Sequence, residues 1–117
     1  MLIIGLPNAG KTTYSQRFEN VLHYDEIMIL PKEERYALYQ KSEIIEGIFN
    51  TRKSREIVLS LWTDKKRKIC VWIDTPADVC REREDRGRST AIVTMHEKRF
   101  EPPTTDEGWD EIVVVKG

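Results

Sequence analysis

The stretch Gly5-Leu6-Pro7-Asn8-Ala9-Gly10-Lys11-Thr12 fits G-x-x-x-x-G-K-[ST] without a mismatch, and its reading decides the fold. Four residues between the glycines close a wide turn whose backbone N–H groups point inward, making a concave anion site at the start of the next helix. A triphosphate fits such a site. Lys11 is placed to reach the β- and γ-phosphates, and the Thr12 hydroxyl to ligate a Mg²⁺ that bridges them. Gly5, Pro7, Asn8, Ala9, Gly10, Lys11, Thr12 and Thr13 are therefore the expected nucleotide contacts. Gly10, with no Cβ, lets the backbone approach the ligand closely.

The pattern is informative only between a strand and a helix. Leu2-Ile3-Ile4 reads as a buried strand, and Thr12 to Glu19 as a helix with Tyr14 and Phe18 four apart on one face. A glycine turn that merely joined a strand to a helix has no need of Lys-Thr after its second glycine.

At 117 residues the chain is expected to form one domain, residues 1–117, with a single core. Its formal net charge is -1 although 33% of its residues are charged, so no global basic field points to nucleic acid or membrane. Cys70 and Cys80 fall in a predicted strand and a predicted helix, not in a C-x-x-C pair, and read as reduced core thiols. No apolar run approaches the roughly 18 residues of a membrane helix. The opening directly on a strand leaves no room for a signal peptide, so a cytoplasmic protein is expected.

Downstream, Asn20 to Tyr24 reads as a second strand ending at Asp25-Glu26. An acid at the carboxyl end of a strand next to the phosphate loop lies where open α/β sheets bind ligands, which makes Asp25 a candidate base. Pro31-Lys32-Glu33-Glu34 opens a helix to about Lys41, with proline and acids in its first turn. Glu43 to Phe49 reads as the third strand. Its Glu46 is charged within an apolar run and needs a partner if buried; a magnesium shell supplies one, and a solvated strand end is the plainer alternative. Asn50 or Thr51 caps a helix through roughly Asp64, with Ile57/Leu61 and Val58/Trp62 as its stripe. The run Lys65-Lys66-Arg67-Lys68 reads as a solvated helix end.

Ile69 to Ile73 is apolar throughout, as in a central parallel strand covered on both faces, and ends at Asp74. Thr75-Pro76-Ala77-Asp78 starts a helix with Thr75 as its cap. That helix carries Arg81, Arg83 and Arg86 before Gly87-Arg88. Two readings stand open: an exposed salt-bridged helix, or a lid that brings guanidinium groups onto a transferring phosphoryl. Ser89 or Thr90 starts a helix to about Phe100, and Ile112 to Val115 is the last strand. His23 and His96 have no partners at motif spacing and read as surface or packing residues. Five strands alternating with helices predict one parallel sheet with right-handed crossovers.

Taken together, these residues resemble the small P-loop kinases that include the polynucleotide 5'-hydroxyl kinase domain and the predicted kinases of the AAA_33 type. The likeness rests on Gly5 to Thr12, Asp25-Glu26, Asn50 to Arg55, Asp74-Thr75-Pro76, Arg86-Gly87-Arg88, and Phe100 to Thr104 with Glu107 to Ile112. It implies a three-layer α/β/α P-loop NTPase fold with a five-stranded parallel sheet, the strand order of nucleoside and nucleotide kinases and a short helical lid. It further implies ATP as phosphoryl donor, Mg²⁺, and a hydroxyl acceptor that is a nucleic-acid 5' end or a small molecule. Asp25 matches the carboxylate that takes the acceptor proton, Glu46 stands where an aspartate is usual, and Arg86 matches the lid arginine, with Arg83 beside it. The sequence departs from the family at Asn8, in place of a glycine, and at Tyr24 and Met28, where arginines are common. An ATP-binding or ATP-hydrolysing module without an acceptor is the alternative reading.

Overall fold

The computed structural model describes residues 1–65, 67–83 and 90–116. Five strands, β1 (Leu2–Ile4), β2 (Leu22–His23), β3 (Ile45–Glu46), β4 (Ile69–Asp74) and β5 (Glu111–Lys116), form one sheet in the order β2-β3-β1-β4-β5. Every pairing is parallel. Parallel neighbours need crossover connections, and helices supply them: α1 (Lys11–Ser15), α2 (Tyr24–Ile27), α3 (Lys32–Lys41), α4 (Arg52–Leu61), α5 (Ala77–Glu82) and α6 (Thr90–Arg99), with a turn of 3-10 helix at Thr105–Glu107.

Alternation along the strands divides the core between the two faces of the sheet. Leu2, Ile4, Ile45 and Cys70 face one layer with Tyr39 of α3 and Val58 of α4. Ile3, Val71 and Ile73 face the other, with Tyr14 of α1, Cys80 of α5 and Val93 of α6. The central strand β1 has no exposed surface at all, which is why Leu2-Ile3-Ile4 carries no polar residue. Both thiols are buried, as expected for Cys70 and Cys80. Burial pushes the Cys70 thiol up to about 12, so it is no nucleophile near neutral pH.

Several elements are shorter than their sequence pattern suggests. The first helix ends at Ser15 rather than Glu19. Phe18 N–H bonds back three residues to Ser15 O at 3.0 Å, and Asn20 leaves in the left-handed region at φ 59°, so the chain tightens and turns out. The second strand stops at His23, because Tyr24 already opens α2 with Asp25 and Glu26 in its first turn. Acids there face the positive end of the helix. The third strand is only Ile45–Glu46, since its neighbour β2 offers just Leu22 and His23 to pair with. Helix α4 begins where expected: Thr51 caps it by accepting from Ser54 N–H at 3.2 Å, but it ends at Leu61 rather than Asp64.

Thr75 does not cap its helix. Pro76 holds that position without a side-chain bond, and the Thr75 hydroxyl donates instead to Ala9 O, in the phosphate loop, at 2.6 Å. In the basic run, Arg67 pairs with Glu111 at 2.6 Å on the surface, in keeping with a solvated stretch. Lys66 lies outside the described residues.

The segments around Asn50–Arg55 and 100–109, far apart in sequence, meet in a buried clamp. Arg55 has no exposed surface and grips Glu107 with Nε at 2.8 Å and Nη2 at 2.9 Å. The same guanidinium donates to Phe49 O and Glu101 O, each at 2.8 Å. Glu107 also accepts from Trp109 Nε1 and Thr104 N–H, both at 3.1 Å. Every polar atom of the guanidinium and carboxylate thus has a partner, the condition under which a buried ion pair is tolerated.

Candidate active site

The phosphate loop leaves β1 at Gly5 and enters α1 at Lys11. A Cβ on Gly5 would stand 2.9 Å from Ile73 O and 3.2 Å from Ala9 Cβ, so only glycine lets the loop close against β4. Gly10 has φ 104° and Asn8 φ 65°; Asn tolerates the left-handed region better than most residues, which accounts for its presence where a glycine is common. Asn8 Nδ2 donates to Cys80 O at 3.2 Å, and Thr75 holds the next carbonyl. The loop is thereby tied to α5 and to the end of β4. Lys11 is buried and its ammonium donates to Leu6 O at 2.7 Å, so its charge folds back over the turn.

Beside the loop, Thr12, His23, Asp25, Glu26 and Glu46 line a pocket of about 90 Å³. Thr12 comes from the first turn of α1, Asp25 and Glu26 from α2, and His23 and Glu46 from the carboxyl ends of β2 and β3. Ends of parallel strands beside the topological centre of an open sheet are where such folds bind ligands. The structure therefore brings three of the residues singled out by sequence, Thr12, Asp25 and Glu46, to one cavity.

Glu46 is not at a solvated strand end. Its side chain is 7% exposed, and His23 Nδ1 lies 3.0 Å from its Oε2. This also corrects the reading of His23 as a lone surface or packing histidine. An ionised carboxylate only accepts, so Nδ1 carries the proton. The pairing is set by the register His23↔Glu46 between β2 and β3, which no sequence spacing reveals. His96 behaves as a packing residue, its ring against Asn50 Nδ2 at 3.1 Å.

The donor set suits magnesium. Thr12 and Glu46 offer oxygen ligands to one pocket, and Mg²⁺ commonly takes one or two protein oxygens, the rest coming from phosphates and water. Among the described residues no group of three His, Cys, Asp or Glu side chains forms a closed metal site, so any ion held here depends on a ligand for the remaining positions.

The arginine-rich helix divides its labour. Arg81 pairs with Asp78 and, at 3.1 Å, with Glu97 of α6, a surface link between two helices. Arg83 turns the other way: its Nη1 lies 3.4 Å from Asn8 O and 3.5 Å from Ala9 O, against the phosphate loop. Arg86, Gly87 and Arg88, the expected lid, lie outside the described residues, as does Ser89.

No family model matches the chain, and neither does any curated protein. Solved structures do. A gluconokinase from Sinorhizobium meliloti 1021 superposes with a TM-score of 0.66 at 14% identity, over 98% of this chain and 80% of that one. A sugar kinase from Janibacter sp. HTCC2649 gives 0.65 at 16% identity, over 98% and 83%. At such identities the likeness is one of fold. Together with the sheet order, it establishes that the chain has the all-parallel α/β fold of these two kinases.

Proposed function

We propose that this protein is an ATP-dependent phosphotransferase that passes the γ-phosphoryl group to a hydroxyl acceptor. The observation that carries the reading is the shared pocket, in which Thr12 of the phosphate loop meets Asp25 and Glu46. A donor-side residue and a candidate base stand at one cavity, the proximity on which a direct transfer depends.

The loop amides, with Lys11 swung from Leu6 O onto the β- and γ-phosphates, hold the donor. Thr12 and Glu46 would hold Mg²⁺, which would supply charge neutralisation for the donor phosphates. Asp25 accepts the proton of the acceptor hydroxyl as its oxygen bonds to the γ-phosphorus. The bond from that phosphorus to the β–γ bridging oxygen breaks, and ADP leaves. Arg83, already against the loop, would turn to the γ-phosphate, and Arg86 is the further lid candidate.

The acceptor that fits best is a small neutral hydroxyl compound. The described lining residues include three carboxylates and no lysine or arginine, which disfavours a phosphate-bearing nucleic-acid end. Two proteins of this fold are described as a gluconokinase and a sugar kinase, which supports a small polyhydroxyl acceptor over a nucleic-acid end, whatever its charge. The likeness to polynucleotide 5'-hydroxyl kinases therefore enters this proposal for the donor side alone.

The test is incubation with γ-labelled ATP, Mg²⁺ and separate pools of polyols, nucleosides and 5'-hydroxyl oligonucleotides. Label on a polyol or nucleoside is expected, and Asp25→Asn is expected to lower that transfer by about 100-fold or more with ATP affinity intact. Release of free phosphate alone, from every pool, would replace the kinase with an ATP-hydrolysing module.

A further inference from the structure

We infer that His23 is a positioning residue for Glu46, holding its carboxylate in the one orientation that presents an oxygen to the metal. This inference rests on the reading of Glu46 as a magnesium ligand.

His23 and Glu46 are register partners at the ends of adjacent parallel strands, so their side chains leave the same face of the sheet. The contact of Nδ1 with Oε2 at 3.0 Å occupies one carboxylate oxygen. The other, Oε1, has no partner among the described residues, and the pocket that both residues line with Thr12 is the space next to them. A glutamate turns about three side-chain bonds. Without a brace its carboxylate samples several directions, and one hydrogen bond from a ring with two torsions removes most of them.

Carboxylates that ligate metals are themselves held by hydrogen bonds, and loss of such a partner typically costs 10- to 100-fold in metal affinity. The contrast with Glu107 supports this: it is saturated by four hydrogen bonds, whereas Glu46 is given one. His23 is more than a quarter exposed on its side chain, so its replacement leaves the core untouched.

The experiment titrates Mn²⁺, followed by its paramagnetic resonance signal, into protein saturated with a non-hydrolysable ATP analogue. Thermal melts run in parallel. His23→Leu is expected to weaken Mn²⁺ binding by about 10- to 100-fold without lowering the metal-free affinity for the analogue. His23→Asn, whose amide nitrogen stands near the Nδ1 position, is expected to recover most of that loss. His23→Gln, whose amide reaches the Nε2 position instead, is expected to bind as weakly as His23→Leu; this pair decides the matter if the leucine variant fails to fold.

Wild-type Mn²⁺ affinity in His23→Leu, with Glu46→Gln weakened, overturns the positioning role and leaves Glu46 as ligand. Equal weakening in His23→Asn and His23→Gln overturns it as well. Wild-type affinity in Glu46→Gln removes the metal reading itself, and the inference with it.

Discussion

Two glutamates with enclosed side chains have opposite surroundings in this molecule. Glu107 is enclosed by Arg55, Trp109 and the Thr104 amide, which give it four hydrogen bonds. Glu46 is almost as deeply buried, yet among the described residues it has a single bond, from His23, and it borders a pocket. A saturated carboxylate has nothing left to offer a ligand and serves the fold. One with spare acceptor capacity beside the glycine loop can still take a ligand, as the proposed metal role requires. The number of donors around each acid, more than burial itself, separates scaffold from site.

Breaking the saturated pair has the largest expected effect on stability. Arg55→Met strands the Glu107 charge, and removing one partner of a buried pair costs about 3–5 kcal/mol. Urea unfolding checks this; a loss under about 1 kcal/mol would reduce the clamp to an ordinary surface pair.

Acid sharpens the contrast next. Burial by itself pushes the Glu107 carboxyl up, but the bonds from Arg55, Trp109 and Thr104 outweigh it and hold it below its usual value of 4.5. A group depressed in the folded state contributes its full stability above the unfolded value and loses it as pH falls through the folded one. Urea midpoints should therefore drop steadily below about pH 4.5, and the drop should shrink in Glu107→Gln. An unchanged acid slope in that variant would contradict the assignment.

The smallest effect on stability is expected at the other glutamate. Glu46→Gln keeps an oxygen to accept from His23, so unfolding free energy should change by about 1 kcal/mol or less while phosphoryl transfer falls. A loss as large as that of Arg55→Met would make Glu46 a second scaffold residue.

The sequence exposed one half of this comparison better than the other. The loop Gly5–Thr12, the strand Ile69–Asp74 and the cap at Thr51 are local patterns, and each lies where its chemistry predicts. Asp25 stands out as an acid at the end of a strand pattern, and Glu46 as a charge within an apolar run. Their shared pocket was implicit in a parallel sheet, whose strand ends gather on one edge. What spacing cannot carry is register: His23 meets Glu46, Thr75 meets Ala9 and Arg55 meets Glu107 across separations of 23, 66 and 52 residues. The segments Asn50–Arg55 and 100–109, noticed for their likeness to a kinase family, serve largely to build the clamp. Element lengths were overestimated where a turn overrode helical periodicity, as at Asn20, and where a two-residue neighbour limited pairing, as at β3.

All of this presupposes that the loop around Lys11 grips the phosphates of ATP. Calorimetric titration of ATP with Mg²⁺ into the wild type and into Lys11→Ala tests that directly, once melting curves confirm that both are folded. Saturable binding by the wild type and its loss in Lys11→Ala is the predicted result; equal ATP affinity in the two proteins would contradict the account.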